Sequence, residues 1–156
     1  HMIALFKKEL LPQFPHKEKV HIVEGNALTY IMAQEDAAFD YGFSDFWGGL
    51  SDGLPLYLSF AKGCARFRHT IHDYWIENTF IDYYFRPAVM IFLMEKVLGR
   101  KERPLDQGKK ASGILRKFIS FLEKEPFTLE KEEDIYHLLD TKTLVRVVRK
   151  FAACCL

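Results

Sequence analysis

Side-chain amides are scarce in this sequence. Among 156 residues only Asn26, Asn78, Gln13, Gln34 and Gln107 carry one, against 22 Lys and Arg and 21 Asp and Glu. Few thermolabile amides beside many charges is the direction thermophile proteins take, so a thermophilic source is expected. Charge of one sign is lacking too. The formal net charge of +1 argues against a generic polyanion binder or a strongly acidic chaperone, while leaving local patches open. Long apolar runs are missing: Ala88 to Met94, the longest, falls well short of the roughly 20 residues a membrane-spanning helix needs, so no span is expected.

Cysteine is rare and poorly spaced for metal chemistry. Cys64, Cys154 and Cys155 form an odd set with none of the zinc-binding spacings, and Cys64 reads as a small core residue. In the terminal Ala153-Cys154-Cys155-Leu156, Ala153 holds the place that a prenylated Cys would need. His1-Met2 reads as a tag remnant, and Met2 to Phe6 is too short for a signal peptide before Lys7, Lys8 and Glu9 intervene. The expectation is a cytoplasmic domain covering residues 2–156.

Apolar and aromatic residues are plentiful, at 49% and 15%. That content excludes intrinsic disorder, and a chain of this length can bury roughly 70% of its unfolded surface without disulfides or a structural metal. Punctuation divides the chain into helix-sized pieces. Met2 to Leu11 reads as a short helix stopped by Pro12 and Pro15. Val20 to Val23 suggests a minor strand, and Asn26 caps a helix over Ala27 to Tyr41. Residues 42–53 form a loop combining glycines with aromatics. From Pro55, the favoured first-turn proline, Tyr57, Phe60, Ala61, Cys64, Phe67, Ile71, Tyr74 and Trp75 recur at helical steps, predicting one long core-facing helix.

Ala88 to Leu98 is apolar nearly all round, which predicts a central helix closed by Gly99. Ala111, Ile114, Leu115, Phe118, Ile119 and Leu122 mark an amphipathic helix ended by Pro126. Thr128 is a candidate cap for a helix with an acidic first turn, and Asp140 or Thr141 starts a last helix with Leu144, Val148, Phe151 and Cys155 on one face. The fold class is therefore an all-α, single-domain bundle of about five to six helices around the central apolar helix 88–98, with a minor strand at 20–23.

Three groups of residues could carry chemistry. On the expected long helix, His69 and His72 stand three apart and His69 and Asp73 four apart, close enough to share a divalent metal, with Glu77 or His21 completing the shell. Carboxylate-bridged di-iron bundles need paired Glu-x-x-His motifs, which are absent. An ordinary solvated helix face with a His69 to Asp73 hydrogen bond is the competing reading. In the glycine-rich loop, Phe43, Phe46 and Trp47 could wall an apolar ligand pocket or plug the core; the loop lacks the phosphate-binding and calcium-loop spacings. Two basic stretches, 96–110 with Lys101 and Arg103 and 142–150 with Arg146 and Arg149, could contact nucleic-acid phosphates.

No nucleophile has a convincing base: Ser44 and Ser51 lack the strand-to-helix elbow that activates a hydrolase serine, and Cys64 has no partner of that kind. The expected function is thus non-enzymatic association with itself or a protein partner, given the aromatic content. The alternatives are a metal-dependent enzyme or sensor and a nucleic-acid-binding protein.

Overall fold

The computed structural model describes residues 2–45, 48–99 and 109–156. The chain is mainly helical. Its helices are α1 (Met2–Leu5), α2 (Ala27–Met32), α3 (Leu50–Cys64), α4 (Glu77–Phe80), α5 (Arg86–Leu98), α6 (Lys109–Leu122), α7 (Glu132–Leu139) and α8 (Thr141–Cys155), and two strands, β1 (Tyr41–Ser44) and β2 (Ile71–Tyr74), form a small parallel sheet.

The two C-terminal amphipathic helices form where their periodicity places them. In α6, Ala111, Leu115, Phe118 and Leu122 are buried at steps of four, three and four, with Phe121 beside them. In α8, Leu144, Val148, Phe151 and Ala152 are buried, whereas Cys155 is exposed and does not continue the stripe. Asp140 caps α8 by accepting the Thr143 N–H at 3.0 Å. The start of α7 is held differently from expectation: Asp134, not Thr128, accepts the N–H groups of Glu130 and Lys131.

α8 packs against α3, α4, α6 and α7, so it occupies the middle of the core. Edge-on aromatic contacts run through that region, with ring centroids 4.9 Å apart for Phe85 and Phe118 and 5.2 Å for Phe118 and Phe151. Such pairs add roughly 0.5–1.5 kcal/mol beyond the area they bury. The helix at 88–98 is not the all-round apolar centre its composition suggests: Ala88, Val89, Phe92 and Leu93 are buried, but Met90 is 44% exposed.

Prolines shape the helices more gently than expected. Arg86-Pro87 does not break the chain, because α4 and α5 join through a π-helical turn, Ile81–Phe85, in which the Arg86 N–H bonds the Ile81 carbonyl. Proline cannot donate to the carbonyl four residues back and its ring crowds that carbonyl, so a locally widened turn accommodates it. The same device precedes Pro12, where a π-helical turn over Phe6–Leu10 leads into a 3₁₀ turn, Leu11–Gln13. Pro55 lies inside α3, which starts five residues earlier than its proline suggests. At Gly53 in that helix an added Cβ would stand 2.9 Å from Phe80, so the approach of α4 requires glycine there.

Three elements depart from the sequence reading. Residues 20–23 form no strand, α2 stops at Met32, and the helix from Pro55 ends at Cys64. Residues 71–74, expected as helix, become β2, and β1 takes Tyr41 from the expected helix and residues 42–44 from the expected loop. Parallel strands cannot be joined by a tight turn and need a crossover, which α3 supplies, making a β–α–β unit.

Candidate functional site

Residues from all three sequence-level candidate groups come to the small sheet. The register pairs Tyr41 with Ile71, Gly42 with His72, Phe43 with Asp73 and Ser44 with Tyr74. Alternation along each strand then separates two faces. Tyr41, Phe43, Ile71 and Asp73 point outward and are exposed, while Gly42, Ser44, His72 and Tyr74 turn toward the protein. The ladder continues through Trp75, whose N–H bonds the Ser44 carbonyl at 3.1 Å.

This alternation removes the basis of the metal grouping. His72 and Asp73 are neighbours on a strand and face opposite ways, His69 sits in an exposed turn, and Asp73 accepts the Tyr41 hydroxyl at 2.9 Å. His21 is exposed on the N-terminal segment. Among the described residues, no three His, Cys, Asp or Glu side chains are grouped so as to hold a metal.

Glu77, the other residue considered for that shell, is 6% exposed and engaged elsewhere. It accepts from Tyr57 Oη at 2.5 Å and from Arg149 Nε and Nη2 at 2.8 and 2.7 Å. The Nη2 group also donates to the His72 carbonyl at 2.9 Å, and the guanidinium lies 5.0 Å from the Tyr74 ring centroid. Two donors from one planar guanidinium onto one carboxylate is the strong, directional form of ion pair. It ties α8 to α4 and to β2 at once. Burial pushes the Tyr57 and Tyr74 hydroxyls well above their ordinary range, so both stay protonated. Burial opposes the Arg149 charge, but Glu77 outweighs it and the guanidinium is held protonated more firmly than usual.

His72 responds in the opposite way. Burial and then the Arg149 charge lower its pKa, which favours the neutral ring. Its Nε2 is buried without a hydrogen-bond partner. The ring lies against the neighbouring strand, where a Cβ at Gly42 would stand 3.0 Å from Nδ1. A cavity of about 280 Å³ adjoins it, with Phe39, Tyr41, Phe43, Cys64 and His72 on its walls. Burial raises the Cys64 thiol above its ordinary pKa, so this is not an activated nucleophile.

Phe43, although more than half exposed on the outer face, also borders this cavity, and Phe46 and Trp47 lie outside the described residues. Of the basic residues, Lys101 and Arg103 also lie outside them, and Arg146 is exposed on α8. Arg149 is turned inward: Nε and Nη2 are given to Glu77 and the His72 carbonyl, and its side chain is only 34% exposed. The sheet and the Glu77–Arg149 pair escaped the sequence reading. Their signal was faint: the alternation of Ile71, His72, Asp73 and Tyr74, and an arginine at the edge of an apolar helix stripe. Comparison with protein-family models, curated proteins and solved structures finds no match, so function must be read from the chain's own residues.

Proposed function

We propose that this protein works by association, with the outer face of the β1–β2 sheet as its contact surface and a second copy of the chain as its partner. One observation carries the reading. A parallel pair of strands, a geometry that natural proteins ordinarily cover on both faces, leaves one face open and places Tyr41, Phe43 and Ile71 there at 54%, 56% and 66% exposure. Trp75, next in the same alternation, is 68% exposed. Aromatic residues are enriched where proteins meet, and an isologous contact brings the same patch from both copies face to face across a two-fold axis. On that face the Asp73 carboxylate already accepts a hydrogen bond from the Tyr41 hydroxyl at 2.9 Å, so part of its hydration is replaced before any contact forms.

For the nucleic-acid alternative, the 142–150 stretch keeps Lys142 and Arg146 exposed while Lys150 pairs with Glu125 and Arg149 with Glu77, and the metal alternative has lost the helical spacing that grouped its ligands. Sedimentation velocity over a range of protein concentrations tests the association reading. The wild type is expected to gain mass as concentration rises, with the Trp75 environment reporting the same transition in fluorescence. Ile71→Lys is expected to abolish both while leaving the urea midpoint unchanged. A wild type that sediments as a monomer at every concentration overturns the proposal, as does a dimer indifferent to Ile71→Lys.

A further inference from the structure

A second cavity, of about 560 Å³, opens on the neighbouring face of α2. Its volume lies within the roughly 300–1,000 Å³ of small-molecule sites. The walls are aliphatic: Leu28 and Met32 from α2, Leu58 from α3, Ile114 from α6, and Leu156 beyond the end of α8. Among the described residues no aromatic ring lines it, so a flat heterocycle would find nothing to stack on there. A methionine and branched aliphatic side chains suit an alkyl chain instead.

Two cations interrupt these walls. Lys62, in the last turn of α3, and Arg66, four residues on, both line the cavity, and no Asp or Glu does among the described residues. Lys62 is exposed, so its ammonium is hydrated and free to turn toward a ligand. Arg66 is more confined. Its Nη2 donates to the carbonyls of Ile31 and Gln34 at the end of α2, and Nη1 lies 3.5 Å from the exposed Asp36. Its Nε is buried with no hydrogen-bond partner. With Asp36 set against Arg66, the positive charge left to a ligand at this site is chiefly that of Lys62, which makes no ion pair among the described residues. The wall Ser59 offers little competition, its hydroxyl being committed to the Pro55 carbonyl at 2.9 Å.

We propose that this cavity binds an amphiphilic carboxylate, a medium-length acyl chain whose tail lies among the aliphatic walls and whose head group meets Lys62 and Arg66. The pairing of apolar walls with a cationic rim distinguishes this ligand from an uncharged lipid, which needs no cation, and from a nucleotide, which needs stacking and more donors.

Isothermal titration calorimetry with octanoate, and with octanol as the uncharged comparator, tests the assignment. Wild-type protein is expected to bind one octanoate, with affinity falling as salt rises. Lys62→Gln is expected to weaken octanoate about three- to tenfold, in line with loss of a charge-assisted contact, and to leave octanol unchanged. Ser59→Trp, which places bulk on the exposed wall, is expected to abolish both. Melting curves matching the wild type confirm that each variant is folded, and the salt dependence of the wild type reads the charge contribution without any variant. Absence of saturable heat with octanoate overturns the proposal. Equal octanoate binding by wild type and Lys62→Gln, with no salt dependence, removes the carboxylate assignment. Undiminished binding to a folded Ser59→Trp places the ligand elsewhere.

Discussion

Residues 2–45 and residues 50–152 are both rich in apolar side chains, yet only the second region supplies buried ones. Among the described residues, every buried hydrophobic one lies between Leu54 and Ala152, whereas ten of the eighteen exposed large hydrophobics lie between Met2 and Phe43. The N-terminal segment touches the core through Leu28, Ile31 and Phe39, which are only partly buried. Phe39 meets Phe67 edge-on at 5.8 Å. Composition alone therefore does not decide burial. α6 and α8 have unbroken helical periodicity and can present one face to a common centre. The N-terminal segment is cut by Pro12, Pro15 and Gly25 into pieces too short to do so, and its α2 lies against α3 as an outer layer. Such a layer leaves apolar surface for something else to cover, which is where the association proposal begins.

Matched phenylalanines give the largest expected contrast between the regions. Phe118→Ala removes a fully buried ring in contact with Phe85 and Phe151 and is expected to cost about 3–5 kcal/mol in urea denaturation. Phe43→Ala is expected to stay within about 0.5 kcal/mol of the wild type. Similar losses at the two positions would erase the distinction between core and layer.

Ion pairs repeat the contrast on a smaller scale. Glu77→Gln leaves the Arg149 charge without its carboxylate in a site whose other wall is Tyr57 and Tyr74, and about 3 kcal/mol of destabilisation is expected, the low end for breaking a buried pair because Arg149 is partly exposed. A double variant with Arg149→Met should recover part of that loss. Lys7 and Glu24 in the N-terminal layer are 3.5 Å apart with both side chains more than half exposed, so Glu24→Gln should change stability by less than about 0.5 kcal/mol.

The same division governs what the sequence made legible. Where one helix buries one stripe, as in α6 and α8, spacing and the Asp140 cap were sufficient. Where pairing between distant segments competes with local pattern, spacing misled. Phe67, Ile71, Tyr74 and Trp75 fit a helical stripe, but the structure buries Phe67 and Tyr74 and exposes Ile71 and Trp75, which is the alternation of a strand. Strands of four residues carry too little pattern to outweigh a helix signal running in from Pro55, and their partner lies some thirty residues away at Tyr41–Ser44. The spacing offers Glu77 as a ligand completing a shell with His69, His72 and Asp73, yet its partner Arg149 is 72 positions further along the chain. No spacing rule reaches that far. The glycine-rich loop divided: Phe43 reached a cavity wall, through a strand that nothing in the loop's glycines announced.

His72 gives the smallest effect and the sharpest test of where core ends and layer begins, since it faces inward from the sheet that borders both. Its folded-state pKa is lowered, chiefly by burial and then by Arg149. Between that lowered value and the unfolded value near 6.5, the unfolded chain binds more protons than the folded one, so stability is full above about pH 6.5 and declines as pH falls through the window. Asp140 also loses stabilisation in acid, because the Thr143 N–H holds its carboxyl below the usual range, but that loss falls below about pH 4 and is separable. Urea midpoints measured between these limits should therefore drop with pH in the wild type, and the slope should flatten in His72→Gln. If the slope persists unchanged in that variant, His72 titrates as an exposed histidine would, and the inner face of the sheet belongs to the solvated layer rather than to the core.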